Sequence, residues 1–321
     1  MSLSTPVALI IFNRPDLTEK IFSAIAQAKP KKLFVIADGA RFPEEEEKCQ
    51  KTRAVIDKVD WECEVLTNFS DINLGCGRRP ASGIDWVFSQ VEEAIILEDD
   101  VLPSQSFFYF CQELLKYYRD DERIMLISGD NYQQGQSRTD YTYYFSKYPL
   151  TCGWASWRRA WKHYDYHMKS WPEFKQAGLL KFICLDPYEH RYWTGIFDQM
   201  YEDPEVIEAW DLQWTYTCFR QSGLCVIPNS NLISNLGFRS DATHVTSEKD
   251  HRANLPLTDI WKIEHPPFIV ANREADAYEF DHTYTGKQMR ENDKFIYKIR
   301  KKISSGKFQA KKVWNRLIAF A

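Results

Sequence analysis

Nowhere does the 321-residue chain carry the run of about 18 uninterrupted apolar residues that a bilayer-spanning helix needs. A spanning helix is therefore not expected. The opening, MSLSTPVALIIFNRP, reaches its apolar stretch with no basic segment before it and no small-residue cleavage site before Arg14, so no secretory signal is expected either. The eight cysteines form no CxxC pair and no Cys-His cluster of zinc-ligand spacing, which excludes a zinc ribbon or finger. They are expected as small, half-buried hydrophobes in a reducing compartment. There is no GxGxxG and no P-loop, no internal repeat and no low-complexity linker. Charge is nearly balanced, 41 Lys plus Arg against 45 Asp plus Glu, so the chain as a whole is no polyanion binder and no nucleic-acid partner is expected.

What is present is apolar material for a large core: 44% hydrophobic and 15% aromatic residues, enough to exclude disorder for most of the chain. Pro6 to Phe12 is a compact apolar run ending at Asn13-Arg14-Pro15, and Leu17 to Ala28 then carries apolar residues at helical spacing. Lys31 to Ala40 repeats the pattern, with a strand ending on Asp38-Gly39 and a Glu-rich exposed helix after it. Cys63 to Phe69 is a third strand; a loop, DINLGCGRRPASG, a helix, IDWVFSQVEE, and a strand, Ala94 to Asp100, follow. Strands alternating with helices predict an α/β unit with a mostly parallel sheet and helices on both faces. In such a sheet a ligand sits at the carboxyl ends of the strands, where Arg14, Asp38 and Glu98-Asp99-Asp100 all fall. After residue 103 the texture becomes aromatic-rich. We read a unit from 1 to 275, divided into a nucleotide-binding half (1–103) and an acceptor half (104–275), and then a polar connector and tail (276–321).

Glu98-Asp99-Asp100 is the strongest chemical feature. Carboxylates clustered at a rigid strand end repel one another unless they hold a hard divalent cation such as Mn²⁺ or Mg²⁺, and the bland alternative is a solvated acidic turn. Asp38 could accept from a ribose or base, or simply shape a turn. Asn73 to Arg79 is a glycine-bearing loop whose two guanidinium groups, Arg78 and Arg79, suit phosphate contact or plain solvation. Asp211, between Trp210 and Trp214, is either a general base at a helix start or an ordinary helix cap. The loop Ser234 to His244, with Gly237, Arg239, Asp241 and His244, could close over a diphosphate.

Among these motifs, IILEDDVLPSQSFFYF and WDLQW resemble the GT-A glycosyltransferases of the N-acetylglucosaminyltransferase I type. The whole set, with FNRP, ADGAR, NLGCGRR, GWASWRRAW and NLGFRSDATH, is most similar to bacterial sugar-transferase relatives of that family. The resemblance covers Pro6 to His244. It implies the GT-A nucleotide-diphospho-sugar transferase fold and an inverting hexosyl- or N-acetylhexosaminyltransferase using a UDP-sugar. It implies Asp100 as the metal ligand, Asp99 beside ribose and metal, Glu98 against the transferred sugar, and Arg14 and Asp38 at the uridine end. Arg78 contributes to donor binding, Gly237 to His244 form the segment that orders over the donor, and Asp211 is the base. Trp154, Trp157 and Trp210 are the residues expected to stack on an acceptor sugar, with burial in the core as the alternative. No stem or anchor like that of the eukaryotic members is visible, so their acceptor and compartment are not carried over.

From Lys294 onward the chain has nine Lys or Arg and no acid, which leaves the first 293 residues at a formal −13 against −4 for the whole. Interleaved Phe295, Ile299, Trp314 and Phe320 make this the composition of a basic helix on an anionic membrane surface, or of one docked on a partner or on its own domain. The expected partners are thus a nucleotide-sugar donor, a glycan or lipid-linked acceptor in surface polysaccharide assembly, and the inner membrane face of a cytoplasmic protein. Two other readings stay open, a sugar-1-phosphate nucleotidyltransferase and a non-catalytic carbohydrate-binding protein. The first would want a Gly-rich signature with Arg and Lys after the first strand, which FNRPDLTEK lacks.

Overall fold

A computed structural model of the chain describes residues 3–239 and 250–295. The first third follows the expected alternation: β1 (Val7–Ile11), α1 (Pro15–Ala28), β2 (Lys32–Ala37), α2 (Glu46–Ala54), β3 (Glu64–Phe69), α3 (Gly75–Gln90) and β4 (Glu93–Glu98). Then come β5 (Val101–Pro103), α4 (Gln105–Tyr117), β6 (Ile124–Ser128), β7 (Tyr143–Ser146), β8 (Trp154–Trp157), α5 (Arg158–Trp161), α6 (Trp171–Gln176) and α7 (Pro187–Glu202). Next come α8 (Asp211–Arg220), β9 (Leu224–Pro228), β10 (Ile233–Asn235) and α9 (Arg273–His282), and residues 286–295 are again helical.

The main sheet has the order β3-β2-β1-β4-β8-β6-β9-β7. Its first four strands are parallel, and β8 and β7 run antiparallel to their neighbours, so the sheet is mixed. Alternation along β1 splits the core in two. Ala8 and Ile10 face a cluster with α3 and α5 to α9, whereas Val7, Leu9 and Ile11 face one with α1 and α4. The α/β architecture with helices on both faces is thus the one the alternation predicts. A second, two-stranded sheet pairs β5 with β10 antiparallel, Asn235 opposite Val101, and ties the chain after residue 230 to the end of β4.

Two boundaries move. The stretch expected as a loop through Gly83 is largely helix, because α3 starts at Gly75. Pro80 inside it costs one backbone hydrogen bond, but the buried Asp38 carboxylate accepts from the N–H groups of Leu74 (2.9 Å) and Gly75 (3.0 Å) and so secures the first turn. The connector expected from residue 276 instead begins inside α9, capped by Asn272 Oδ1 accepting from Ala275 N, with Ala275, Asp276, Glu279 and Phe280 buried against the same core.

Burial holds the α9 carboxyls protonated to unusually high pH. Desolvation raises Asp276 to about 6, although Ser146 and Lys147 oppose it, and raises Glu279 to about 7, although Thr283, Arg252 and Gln133 oppose it. Each folded pKa lies above its unfolded value, so the stabilisation is complete below about pH 4 and lost as pH rises through 6 to 7. The loss is on the order of 3 kcal/mol for each group. The variant carrying both Asp276→Asn and Glu279→Gln is expected to lose less stability than wild type between pH 5 and 7.5, read as urea midpoints. Parallel pH profiles would show that these carboxyls ionise freely in the fold.

Candidate functional site

The carboxyl ends of β1, β2 and β4 open into a cavity of about 670 Å³, within the range of small-molecule sites. Phe12, Arg14, Asp38, Arg79, Glu98, Asp99 and Asp100 all lie on its wall. Chain reversal at the strand ends brings them together. β1 ends at Ile11, and Phe12 N then donates to Asp99 Oδ2 at 3.1 Å. Pro15 starts α1 and leaves Arg14 at its N-cap, from which the guanidinium reaches back across the sheet edge. Arg14 Nη1 donates to Asp100 Oδ2 at 2.9 Å and Nη2 donates to Asp99 Oδ1. One arginine thus bridges two members of the triplet.

Burial by itself would make the guanidinium easier to deprotonate, but Asp99 and Asp100 more than reverse this and raise its pKa. Glu98 and Asp99 are both pushed above the ordinary carboxylate range, first by burial. For Glu98 the next causes are the charges of Asp100 and Asp99, and Asp211 adds to them. For Asp99 the Arg14 charge works against the rise. Burial and mutual repulsion thus disfavour full ionisation of the triplet, one arginine offsets this only in part, and a bound cation would favour the ionised forms.

Asp38 is placed at the cavity as expected, but its oxygens are already engaged by the N–H groups of Gly39, Leu74 and Gly75 and by Asn73 Nδ2. It shapes the wall by holding α3. Gly39 permits this approach, since a Cβ there would lie 2.5 Å from the Ile72 carbonyl carbon. Arg14 stands beside the triplet. Phe12, Arg41, Lys48 and Asn73 also line the cavity, with the Arg41 guanidinium 5.2 Å from the Phe12 ring centroid. Gly237 lies against Asp100, because Leu236 N donates to Asp100 O (2.8 Å) and Gly237 N to Asn235 Oδ1 (2.8 Å). A Cβ on Gly237 would fall 2.1 Å from Asp100 Oδ2.

Several expected roles are corrected. Arg78 does not line the cavity: its Nε donates to Glu205 at 2.6 Å on the surface, while its neighbour Arg79 is the buried one. Arg79 Nε donates to Ala37 O at 3.0 Å and Nη2 donates to Asn68 Oδ1 at 2.9 Å, locking the ends of β2 and β3. Helical periodicity turns adjacent residues about 100° apart, so only one of the pair can face inward. Trp154, Trp157 and Trp210 are core residues. Trp154 stacks on Trp210 with centroids 5.6 Å apart, and Trp157 points to the opposite face of the sheet, its Nε1 donating to Leu115 O. With no open ring face, none of the three can stack on a sugar. His244 and Asp241 lie outside the described residues.

Asp211 is the first residue of α8, half-buried, directly after the buried Trp210. It is not among the residues lining the cavity, and its charge adds to the rise of Glu98 and of Tyr164, Tyr192 and Tyr284. The remaining wall holds residues not singled out from the sequence: Tyr132, Cys152, Glu208, Phe238 and Arg252. Arg252 is held by Asp250 at 2.8 and 2.9 Å and lies 5.6 Å from the Phe238 ring centroid. Tyr132, four residues past the end of β6, had a signal in the sequence, the polar Asp130-Asn131 at a strand end; Glu208 and Arg252 had none.

No family model matches this chain. Among curated proteins it is 25% identical over 161 residues to an isoprenyl transferase of Streptococcus pyogenes serotype M3, which spans 50% of this chain and 55% of that protein. The chain thus spans about half the length of the curated relatives it matches. Among solved structures, a crystal structure of an active-site mutant of LgtC aligns over 66% of this chain and 70% of that one, with 12% identity and a TM-score of 0.36. At these levels fold and chemistry rest on the chain's own geometry. Among the described residues no helix is long and apolar enough to cross a membrane, and no group of three His, Cys, Asp or Glu side chains is preassembled as a metal site.

Proposed function

We propose that this chain is a metal-dependent, inverting glycosyltransferase of the GT-A type that moves a hexosyl or N-acetylhexosaminyl group from a UDP-sugar to a glycan or lipid-linked acceptor in surface polysaccharide assembly. The observation that carries the reading is the acidic triplet at the end of β4, bridged by Arg14 on the wall of the cavity, with Asp211 near enough for its charge to act on Glu98.

The donor set fits a cation held jointly with a substrate. Mg²⁺ and Mn²⁺ sites of this kind use one or two carboxylates and take their other ligands from phosphates and water, and a lone cage of three or more side chains is not required. Asp100 is half-buried on the wall, and the small Gly237 leaves room beside its carboxylate. Asp100 would hold the ion, which when bound would neutralise charge building on the diphosphate. Arg14 adds positive charge at the same place, and the nucleoside extends toward Phe12, Arg41 and Asn73.

In the transfer, the Asp211 carboxylate takes the proton of an acceptor hydroxyl. The hydroxyl oxygen forms a bond to the anomeric carbon from the face opposite the diphosphate, and the bond from that carbon to the diphosphate oxygen breaks, its electron pair leaving with the nucleoside diphosphate. Configuration inverts. The acceptor lies along Tyr132, Phe238 and Arg252. The basic tail, nearly all of it outside the described residues, would favour an anionic membrane surface.

The test is calorimetric titration of UDP-GlcNAc, UDP-Gal, UDP-Glc and GDP-Man, each with and without Mn²⁺. Binding of a UDP-sugar that requires the ion supports the reading; no binding, or binding indifferent to the ion, favours a carbohydrate-binding protein. A second test uses Gly237→Ala. Its Cβ forces the Asp100 carboxylate to rotate, and the ion-dependent affinity is expected to fall about tenfold, the scale set by a single charge-assisted hydrogen bond. Unchanged affinity would show that the orientation of Asp100 is not used.

A further inference from the structure

Between α7 and α8 the chain passes the cavity at Glu208, a non-glycine residue in the left-handed backbone region with φ of 49°. A side chain with a Cβ pays a conformational penalty there, and such residues persist only where their surroundings hold them. Here the surroundings do so. Glu208 N donates to Glu205 O at 3.2 Å. The Cys76 thiol donates to the Glu208 carbonyl at 2.8 Å, and its sulfur lies 3.7 Å from Glu208 Oε2. Gly77, in the first turn of α3, packs against the same segment: a Cβ there would be in ordinary contact, at 3.4 Å, with the Glu208 carbonyl carbon and the Ala209 oxygen, and 2.7 Å from the Tyr166 hydroxyl.

The result is an exposed carboxylate on the cavity wall, fixed against the start of α3 and three residues ahead of Asp211. Glu208 shares that wall with Cys76, Glu98, Asp99 and Asp100. The Cys76 thiol that contacts it is pushed up to about 12 by burial and then by Glu208, with Glu98 contributing as well. A sugar joined to a diphosphate at Asp100 would therefore lie in the same cavity as the Glu208 carboxylate.

We propose that Glu208 is a specificity-determining residue that binds hydroxyl groups of the transferred sugar. The inference rests on the sugar-nucleotide reading above and adds to it the residue that reads the hexose. An ionised carboxylate accepts only, through two oxygens in a fixed plane, and adjacent ring hydroxyls supply two donors at matching spacing. The held backbone and the Cys76 contact restrict where that carboxylate can reach.

The experiment compares UDP with UDP-GlcNAc, UDP-Gal and UDP-Glc in Mn²⁺ by calorimetry, for wild type, Glu208→Gln and Glu208→Gly. Wild type is expected to bind one UDP-sugar at least tenfold more tightly than UDP. Both variants are expected to bind UDP within twofold of wild type and to lose that tenfold increment. Glu208→Gly, freed of the left-handed penalty, is expected to melt at or above the wild-type temperature, so its loss of affinity cannot be ascribed to unfolding. A full increment in Glu208→Gln overturns the proposal, as does an equal loss of UDP and UDP-sugar affinity, which would make Glu208 a support of the wall. Wild type that binds UDP but gains nothing from any sugar overturns it while leaving the nucleotide site standing. Wild type that binds neither overturns the sugar-nucleotide reading itself.

Discussion

Asp211→Asn is expected to lower turnover roughly 10²- to 10⁴-fold, the usual contribution of a general base, while donor affinity stays within about twofold of wild type. The amide has the size of the carboxylate and keeps its place as the first residue of α8. It cannot take a proton from a hydroxyl, so the loss falls on the chemical step. Removal of a negative charge from the field of Glu98 also eases the crowding of carboxylates there, so the donor is not expected to bind less well. Single-turnover measurement with saturating donor separates the two effects. Undiminished turnover would remove Asp211 from the chemistry and leave it as a favourable charge at a helix N-terminus.

Asp100→Ala is expected to abolish the ion dependence of UDP-sugar binding, with affinity in Mn²⁺ falling by roughly a hundredfold, as when an ionised interaction of about 3 kcal/mol is removed. What remains should not be zero. Arg14 Nη1, now paired with Asp100 at 2.9 Å, becomes available to the diphosphate, and residual binding that no longer responds to Mn²⁺ is the predicted signature. Arg14 stays in place through Asp99, so the variant should fold. Isotherms with and without Mn²⁺ give the answer directly: retained ion dependence would place the cation elsewhere. Equal loss of the ion-free affinity would mean that Asp100 supports the cavity and does not hold a metal.

Much of the site's first half is legible because strand ends are legible. Apolar β-branched runs stop where the sheet stops, so Arg14, Asp38 and Glu98 to Asp100 could be assigned to one edge from their position after such runs. The direction of each side chain was not legible. Arg78 and Arg79 are neighbours of one type, and only the register of α3 decides that Arg79 turns inward while Arg78 meets Glu205. The tryptophans misled for a related reason. A ring that would stack on a sugar and a ring that fills a core have the same composition around them, and the difference is whether another ring already covers the face, as Trp210 covers Trp154.

The sequence by itself determined the α/β alternation, the two-faced core and the acidic edge of β4, because hydrophobic periodicity is a local property and dictates which face each residue buries. Only the tertiary structure decided what meets at that edge. Gly237 reaches Asp100 because β10 pairs back on β5 across more than a hundred residues. Glu208 meets Cys76, and Arg14 bridges Asp99 and Asp100, by chain crossings that no local pattern encodes. These meetings arise from packing one element on another, and packing is a property of the whole core, which no single segment carries.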